Sequence, residues 1–187
     1  MPLLEKAYAK LNVNYEIIGY GWMSEAARIL TGAPSYRFSS SSYTPDSLFN
    51  ILNDADKKQY VMTAASMSNY QGLAQGHAYS LLGVYVLKDS SGRVVEQLVH
   101  MRNPWAREGW KGKWSDGSTA WTEEYKRQVP YVKGMDGAFF ISTADFIQGF
   151  RYFTITYYHD DWNVSFYEKK GFSTGTTYDY TFTLPAS

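Results

Sequence analysis

QGHAYSLLGVYVLKDSSGRVVEQLVHMRNPW, residues 75–105, decides how this chain is read. Its middle, Lys88-Asp89-Ser90-Ser91-Gly92, is a cluster of turn formers, and both flanks are rich in residues that favour strands. The stretch therefore predicts a β-hairpin. A turn centred on Ser90 sets His77 directly opposite Asn103, with Cβ atoms about 4.5–5.5 Å apart. At that distance an imidazole and a carboxamide hydrogen-bond, and the amide oxygen fixes which ring nitrogen carries its proton. That is the base-and-orienter half of a Cys-His-Asn catalytic triad. A bulge would shift the register by one residue. Spacing alone leaves a plainer alternative open, in which His77 is a structural residue at a strand end and Asn103-Pro104 merely starts a turn.

Working outward, composition sets limits. At 187 residues the chain makes one domain of ordinary size, with room for an appended piece. Lys+Arg equals Asp+Glu, so no electrostatic footprint for nucleic acid or an anionic membrane exists. Aromatics reach 18% while only 19% of residues are charged, as in a folded, β-rich body. No apolar run approaches the roughly 18 residues of a membrane span, and the N-terminus carries no secretory signature. There are no cysteines, which excludes disulfides, thiolate metal sites and any thiol nucleophile from this chain. His77, His100 and His159 lack metal-ligand spacing such as HExxH.

Upstream of the hairpin, residues 3–11 place Leu3, Leu4, Ala7, Tyr8 and Leu11 on one face at helical spacing, an amphipathic core helix. A helix opening so abruptly at Met1-Pro2 suggests a cut from something longer. Ser24 is placed to cap a second short helix, residues 25–30, closed by Gly32. Residues 39–44 are Ser-rich and read as surface chain. Thr44-Pro45 starts a helix, an N-cap followed by an N1 proline, with Leu48, Ile51, Leu52 and Ala55 as its apolar face. Residues 60–65 read as a strand leading to a SMSNYQGLAQG loop. Downstream, residues 122–128 form a polar connector with helical character. Residues 138–142 read as a strand, Thr143 as the cap of a short helix with Phe146, Ile147 and Phe150 on its apolar side, and residues 152–158 as a last strand.

LLEKAYAKL, Thr31-Gly32, QGHAYSLLG, MRNPW and W-x-G-x-WSD (residues 110–116) occur in the order seen in calpain-type cysteine proteases, and DGAFFISTADF (residues 136–146) resembles that family's DGEFWMSFxDF. The resemblance runs from about Leu3 to Phe146. It implies an α+β fold: the antiparallel β-sheet half of a papain-like cysteine protease core, with flanking short helices. In that family a mainly helical half carries the nucleophilic Cys and the oxyanion-hole Gln, and the sheet half carries His and Asn. This chain resembles the second half alone. By match, His77 is the general base, Asn103 orients it, and Trp105 covers their hydrogen bond and keeps water from it, which strengthens a charge-assisted bond.

The departures carry as much meaning. The family's cysteine motif lies upstream of LLEKAYAKL, and only Met1-Pro2 precedes it here. Without a thiolate there is no attack on a peptide carbonyl, so this chain alone is expected to be inactive. The resemblance also implies a loop-built calcium site, of which Asp116 and Asp136 match two ligands. Two further acidic positions appear as Gly109 and Ala138, with Glu108 next door. Calcium takes roughly six to eight oxygens, so two carboxylates make a weak site or none. As turn residues ahead of Gly117 and Gly137 they have a simpler explanation.

These readings divide the chain into a protease-core subdomain, residues 1–158, and a β-ribbon, residues 159–187, that resembles the start of the β-sandwich following the core in calpains. Such a ribbon can add to a partner's sheet edge. Three functions compete. The first is part of a calpain-like cysteine endopeptidase, acting on protein or peptide substrates with a Cys-bearing half supplied in cis or in trans. The second is a calpain-homology module without catalysis, structural or protein-binding. The third is a carbohydrate- or peptide-binding module using Trp and Tyr surfaces, which the ordered motifs disfavour. Absence of cysteine agrees with a cytoplasmic location.

Overall fold

The computed structural model describes residues 2–161 apart from 108 and 135. The ribbon expected beyond residue 161 lies outside the described residues. Among the described residues eleven helices and strands follow in chain order, with two short 3-10 turns between them. They are α1 (Pro2–Leu11), α2 (Met23–Thr31), β1 (Ser35–Ser39), α3 (Pro45–Lys57), β2 (Val61–Ser66), β3 (His77–Lys88), β4 (Val94–Arg102), α4 (Glu123–Lys126), β5 (Ala138–Ser142), α5 (Thr143–Gly149) and β6 (Phe150–Thr156). The strands form one antiparallel sheet in the order β1-β6-β2-β3-β4-β5. The fold is α+β.

Alternation along the strands builds a core on each face. On one face Leu48 and Leu52 of α3 and Phe146 of α5 meet Met62, Ala64, Tyr79, Leu81, Val99, Met101, Phe139, Ile141, Phe153 and Ile155. On the other, Leu87, Leu98 and Phe140 are covered by Trp114, Trp121 and Val129 from the segment after β4. The W-x-G-x-W spacing serves both. Trp110 enters the first core and Trp114 the second, while a Cβ at Gly112 would lie 1.9 Å from the Trp110 ring.

Thr44 caps α3 as its sequence predicts, in a reciprocal capping box with Ser47 and with Pro45 in the first turn. Other local expectations are corrected. α2 begins at Met23 after Trp22, with no side-chain cap from Ser24. Ser142, not Thr143, caps α5 by accepting the Asp145 N–H, and Phe150 opens β6 instead of ending the helix. The Ser-rich segment is surface chain at Ser41, Ser42 and Thr44, as expected, but it starts with the end of β1 and buries Ser40. α1 is not a core helix, since Leu3 is 82% and Leu11 76% exposed.

The hairpin is present, but its register is not the one centred on Ser90. Ser80 pairs with Arg102 and Leu81 with Met101, two residues further along β4 than that turn would give. The extra length comes from the Asp89–Arg93 turn, which centres on Ser91 and where Gly92 adopts φ +81°; the bulges at Val95 on β4 and at Leu82 on β3 lie on opposite strands and cancel. At the Leu82 bulge the Val84 N–H turns to the Asp56 carboxylate of α3, 3.1 Å away, so a backbone donor is satisfied from outside the ladder. A shift of two preserves which face each side chain takes.

Candidate active site

His77 opens β3, where its Cα partner is Ser66 of β2. Asn103 lies one residue past β4 and is tied there by its own N–H to the Gly137 carbonyl, 2.8 Å. The two are therefore not opposed in the hairpin, yet His77 Nε2 and Asn103 Oδ1 are 2.9 Å apart. The Asn103 side chain is almost wholly buried, at 3% exposure. Its Oδ1 also accepts the Trp105 backbone N–H at 3.0 Å, closing a turn. That second bond settles the proton question. An N–H must meet an acceptor, so the atom facing both partners is the amide oxygen, and His77 Nε2 donates to it. In the neutral ring Nδ1 is then left with its lone pair, able to take a proton.

Two aromatic rings fix the imidazole. Trp105 stacks on it with centroids 3.9 Å apart and planes 29° from parallel, and Tyr79 meets it edge-on at 4.9 Å. Trp105 itself stays 63% exposed, so it covers one face of the ring and leaves its own outer face to solvent.

Asp116 and Asp136 stand elsewhere, beside a cleft of about 140 Å³ that His100, Arg102, Val132 and Phe140 also line. Asp136 Oδ1 accepts the Ala138 N–H at 2.9 Å, and Asp116 Oδ2 the Gly134 N–H at 3.3 Å. Burial, and to a lesser degree the Asp136 charge, push the Asp116 carboxyl above its ordinary range. Among the described residues no three acidic, His or Cys side chains gather around one point. Position 109 is closed to an acidic residue in this backbone: a Cβ there would lie 2.5 Å from the Gly72 carbonyl oxygen. The described side chains thus do not fit a calcium ion. His100 is held neutral beside this cleft; burial drives it down to about 4, against a smaller upward pull from Asp136, and its ring stacks on Phe140 at 4.3 Å.

Comparison with known proteins gives the geometry its context. The model of the calpain family cysteine proteases matches residues 1–157, ending one residue past β6. The chain belongs to the calpain family. It is 33% identical over 200 residues to the calpain-1 catalytic subunit of Mus musculus, covering 95% of this chain and 28% of that protein. Calpain-12 of Mus musculus is 37% identical over 159 residues, covering 80% of this chain and 22% of calpain-12. Calpain-A of Drosophila melanogaster is 35% identical over 164 residues, 79% of this chain and 19% of calpain-A. The chain thus spans about a quarter of the length of these relatives. Lacking cysteine, it corresponds to the His/Asn-bearing part of the family's core without the Cys-bearing part. No helix among the described residues is long and apolar enough to cross a membrane.

Sequence reading named His77, Asn103 and Trp105, which converge, and Asp116 and Asp136, which share a separate cleft. It did not name Ser66, whose hydroxyl contacts the His77 backbone across 11 positions of sequence. No motif marks such a contact; only the strand pairing reveals it.

Proposed function

We propose that this calpain-family chain supplies the general base and its orienter to a cysteine endopeptidase, and that peptide hydrolysis requires a Cys-bearing companion half in cis or in trans. The carrying observation is the 2.9 Å bond from His77 Nε2 to an Asn103 oxygen whose identity Trp105 fixes. With Nε2–H engaged, Nδ1 is the atom that takes the proton from a thiol of the companion. The thiolate so formed attacks the peptide carbonyl, and Nδ1–H then protonates the departing amine. Asn103 Oδ1 stabilises the imidazolium in between and holds the ring in plane. Trp105 shields one face of that pair, making the bond stronger than an exposed one.

The need for a companion is supported by the absence of cysteine and by the unpartnered apolar surface of α1 and α2. Leu3, Leu4, Leu11, Ile29 and Leu30 are exposed on these helices, and Leu4, Tyr8, Ala26 and Leu30 line a groove of about 320 Å³ between them. Exposed apolar side chains gathered around a groove are a common mark of an interaction site. The lack of cysteine also fits a reducing, cytoplasmic setting. It equally supports a second reading, a calpain-homology module that has shed catalysis and binds protein.

Mixing the chain with a folded Cys-bearing half and adding a thiol-directed epoxide separates the two. The endopeptidase reading expects labelling of the companion's cysteine that disappears with His77→Ala. Absence of labelling from correctly folded partners leaves the non-catalytic module.

A further inference from the structure

Ser66 closes β2, is fully buried, and sits where the ladder to β6 is irregular: Ala65 pairs with Tyr152 but Ser66 with Phe150. Its Oγ accepts the His77 backbone N–H at 3.3 Å and lies 3.1 Å from the His77 carbonyl. Its single proton goes to the Ala74 carbonyl, the shortest of the three contacts. The Ala74 N–H in turn donates to Tyr79 Oη at 2.9 Å. One residue, Ala74, is thereby pinned through both its flanking peptides, by a hydroxyl of β2 and a hydroxyl of β3, three residues before the imidazole. Gly76, at φ +63°, then turns the chain into β3. The start of the same loop is braced separately, by the Lys111 N–H on the Gln71 carbonyl at 2.9 Å and by the close crossing of Gly72 and Gly109.

A hydrogen bond is directional, and the imidazole reaches Asn103 from the end of a strand, where backbone freedom is greatest. We propose that Ser66 is a positioning residue for His77: its hydroxyl, working with the Ala74 peptide and Tyr79 Oη, sets the His77 backbone so that Nε2 meets Asn103 Oδ1. The inference rests on the reading of His77 as general base. Ser66 acts through the main chain and handles no proton of the reaction. Catalytic geometry tolerates little error, a misplacement near 1 Å costing on the order of 10²-fold in rate.

The test reads the imidazole directly, in the ¹⁵N-labelled 187-residue chain, by long-range ¹H–¹⁵N spectra that distinguish the two neutral tautomers. Wild-type His77 is expected as the Nε2–H form. Ser66→Ala is expected to collapse the separation between its two ring nitrogens towards the averaged value of a tautomer mixture, leaving His100 unchanged. Ser66→Thr, which keeps Oγ, restores the separation. Tyr79→Phe removes the other hydroxyl while keeping the ring, and moves His77 in the same direction; it decides the matter should Ser66→Ala fail to fold. A His77 spectrum unaltered in the folded variant overturns the proposal. A wild-type His77 that is not Nε2–H, or that ignores Asn103→Ala, overturns instead the base-and-orienter reading on which the proposal stands.

Discussion

Asn103 Oδ1 receives two donors, the His77 ring at 2.9 Å and the Trp105 backbone at 3.0 Å, although Asn103 belongs to no strand. One oxygen thus joins the start of β3 to the turn after β4. Asn103→Ala is expected to lower unfolding free energy by about 1–3 kcal/mol, the usual cost of leaving a buried polar partner unsatisfied. Denaturant titration followed by intrinsic fluorescence measures it; a loss within error would mean both donors find water instead.

Trp105 contributes mainly by shielding. Stacked aromatic pairs are worth about 0.5–1.5 kcal/mol, and with so much of this indole in solvent the stability loss in Trp105→Ala is expected near the lower figure. The larger effect is kinetic: the His77 Nε2 proton exchanges faster with water. Exchange-edited spectra check this, and an unchanged exchange rate would remove the shielding role.

The Gly72–Gly109 crossing predicts two intolerant positions. Gly72 has φ +92°, and a Cβ on it would fall 1.9 Å from the Gly109 carbonyl oxygen. Gly72→Ala and Gly109→Glu are each expected to cost more than about 2 kcal/mol, as backbone strain and overlap at one point do. Gly117→Ala, with nothing within 4 Å of the new carbon, serves as the near-neutral control. Calcium is not expected to rescue the Tm of Gly109→Glu, even though that change installs a carboxylate.

His100 predicts a pH dependence. Its folded value, about 4, lies below the ordinary 6.5, so the unfolded chain binds the extra proton first as pH falls. The stability it permits is present above pH 6.5 and is lost progressively down to about pH 4. The whole shift corresponds to roughly 3 kcal/mol at most. Asp116 in the same cleft, shifted upward, works with the opposite sign, so the comparison that isolates His100 is wild type against His100→Phe across this range. Parallel stability profiles for the two proteins would contradict the burial argument.

Much of this architecture was legible in the residues, and the misses have a common cause. The hairpin, α3 with its Thr44 cap, and the strand of residues 138–142 follow from local chemistry: turn formers, a capping box, apolar alternation. β1 did not show itself, because its buried position is a serine and no apolar alternation marks the strand. Ser35 is in fact paired with Thr156 at 2.8 Å across the sheet, a partner 121 positions away. The hairpin register differs because the turn centres on Ser91, and the bulge at Leu82, held by Asp56 from a helix remote in sequence, was not legible either. α1 shows the converse: its apolar stripe is real, but nothing among the described residues covers it. At the candidate site the ordered motifs pointed to His77 and Asn103, whereas Ser66 is one serine among many until strands β2 and β3 are paired.

The strand order carries a consequence for how the polypeptide is made. β6, the last strand described, slots between β1 and β2, two of the earliest. During synthesis the ribosome must deliver β6 before Ser35–Ser39 has a strand to pair with. Pairings of such long span are slow to form, and the open edges left waiting are prone to adhere to other chains. A nascent chain stalled before Phe150 therefore holds β2, β3, β4 and β5 as a meander with its β2 edge open, and is the form in which this sequence most needs a chaperone.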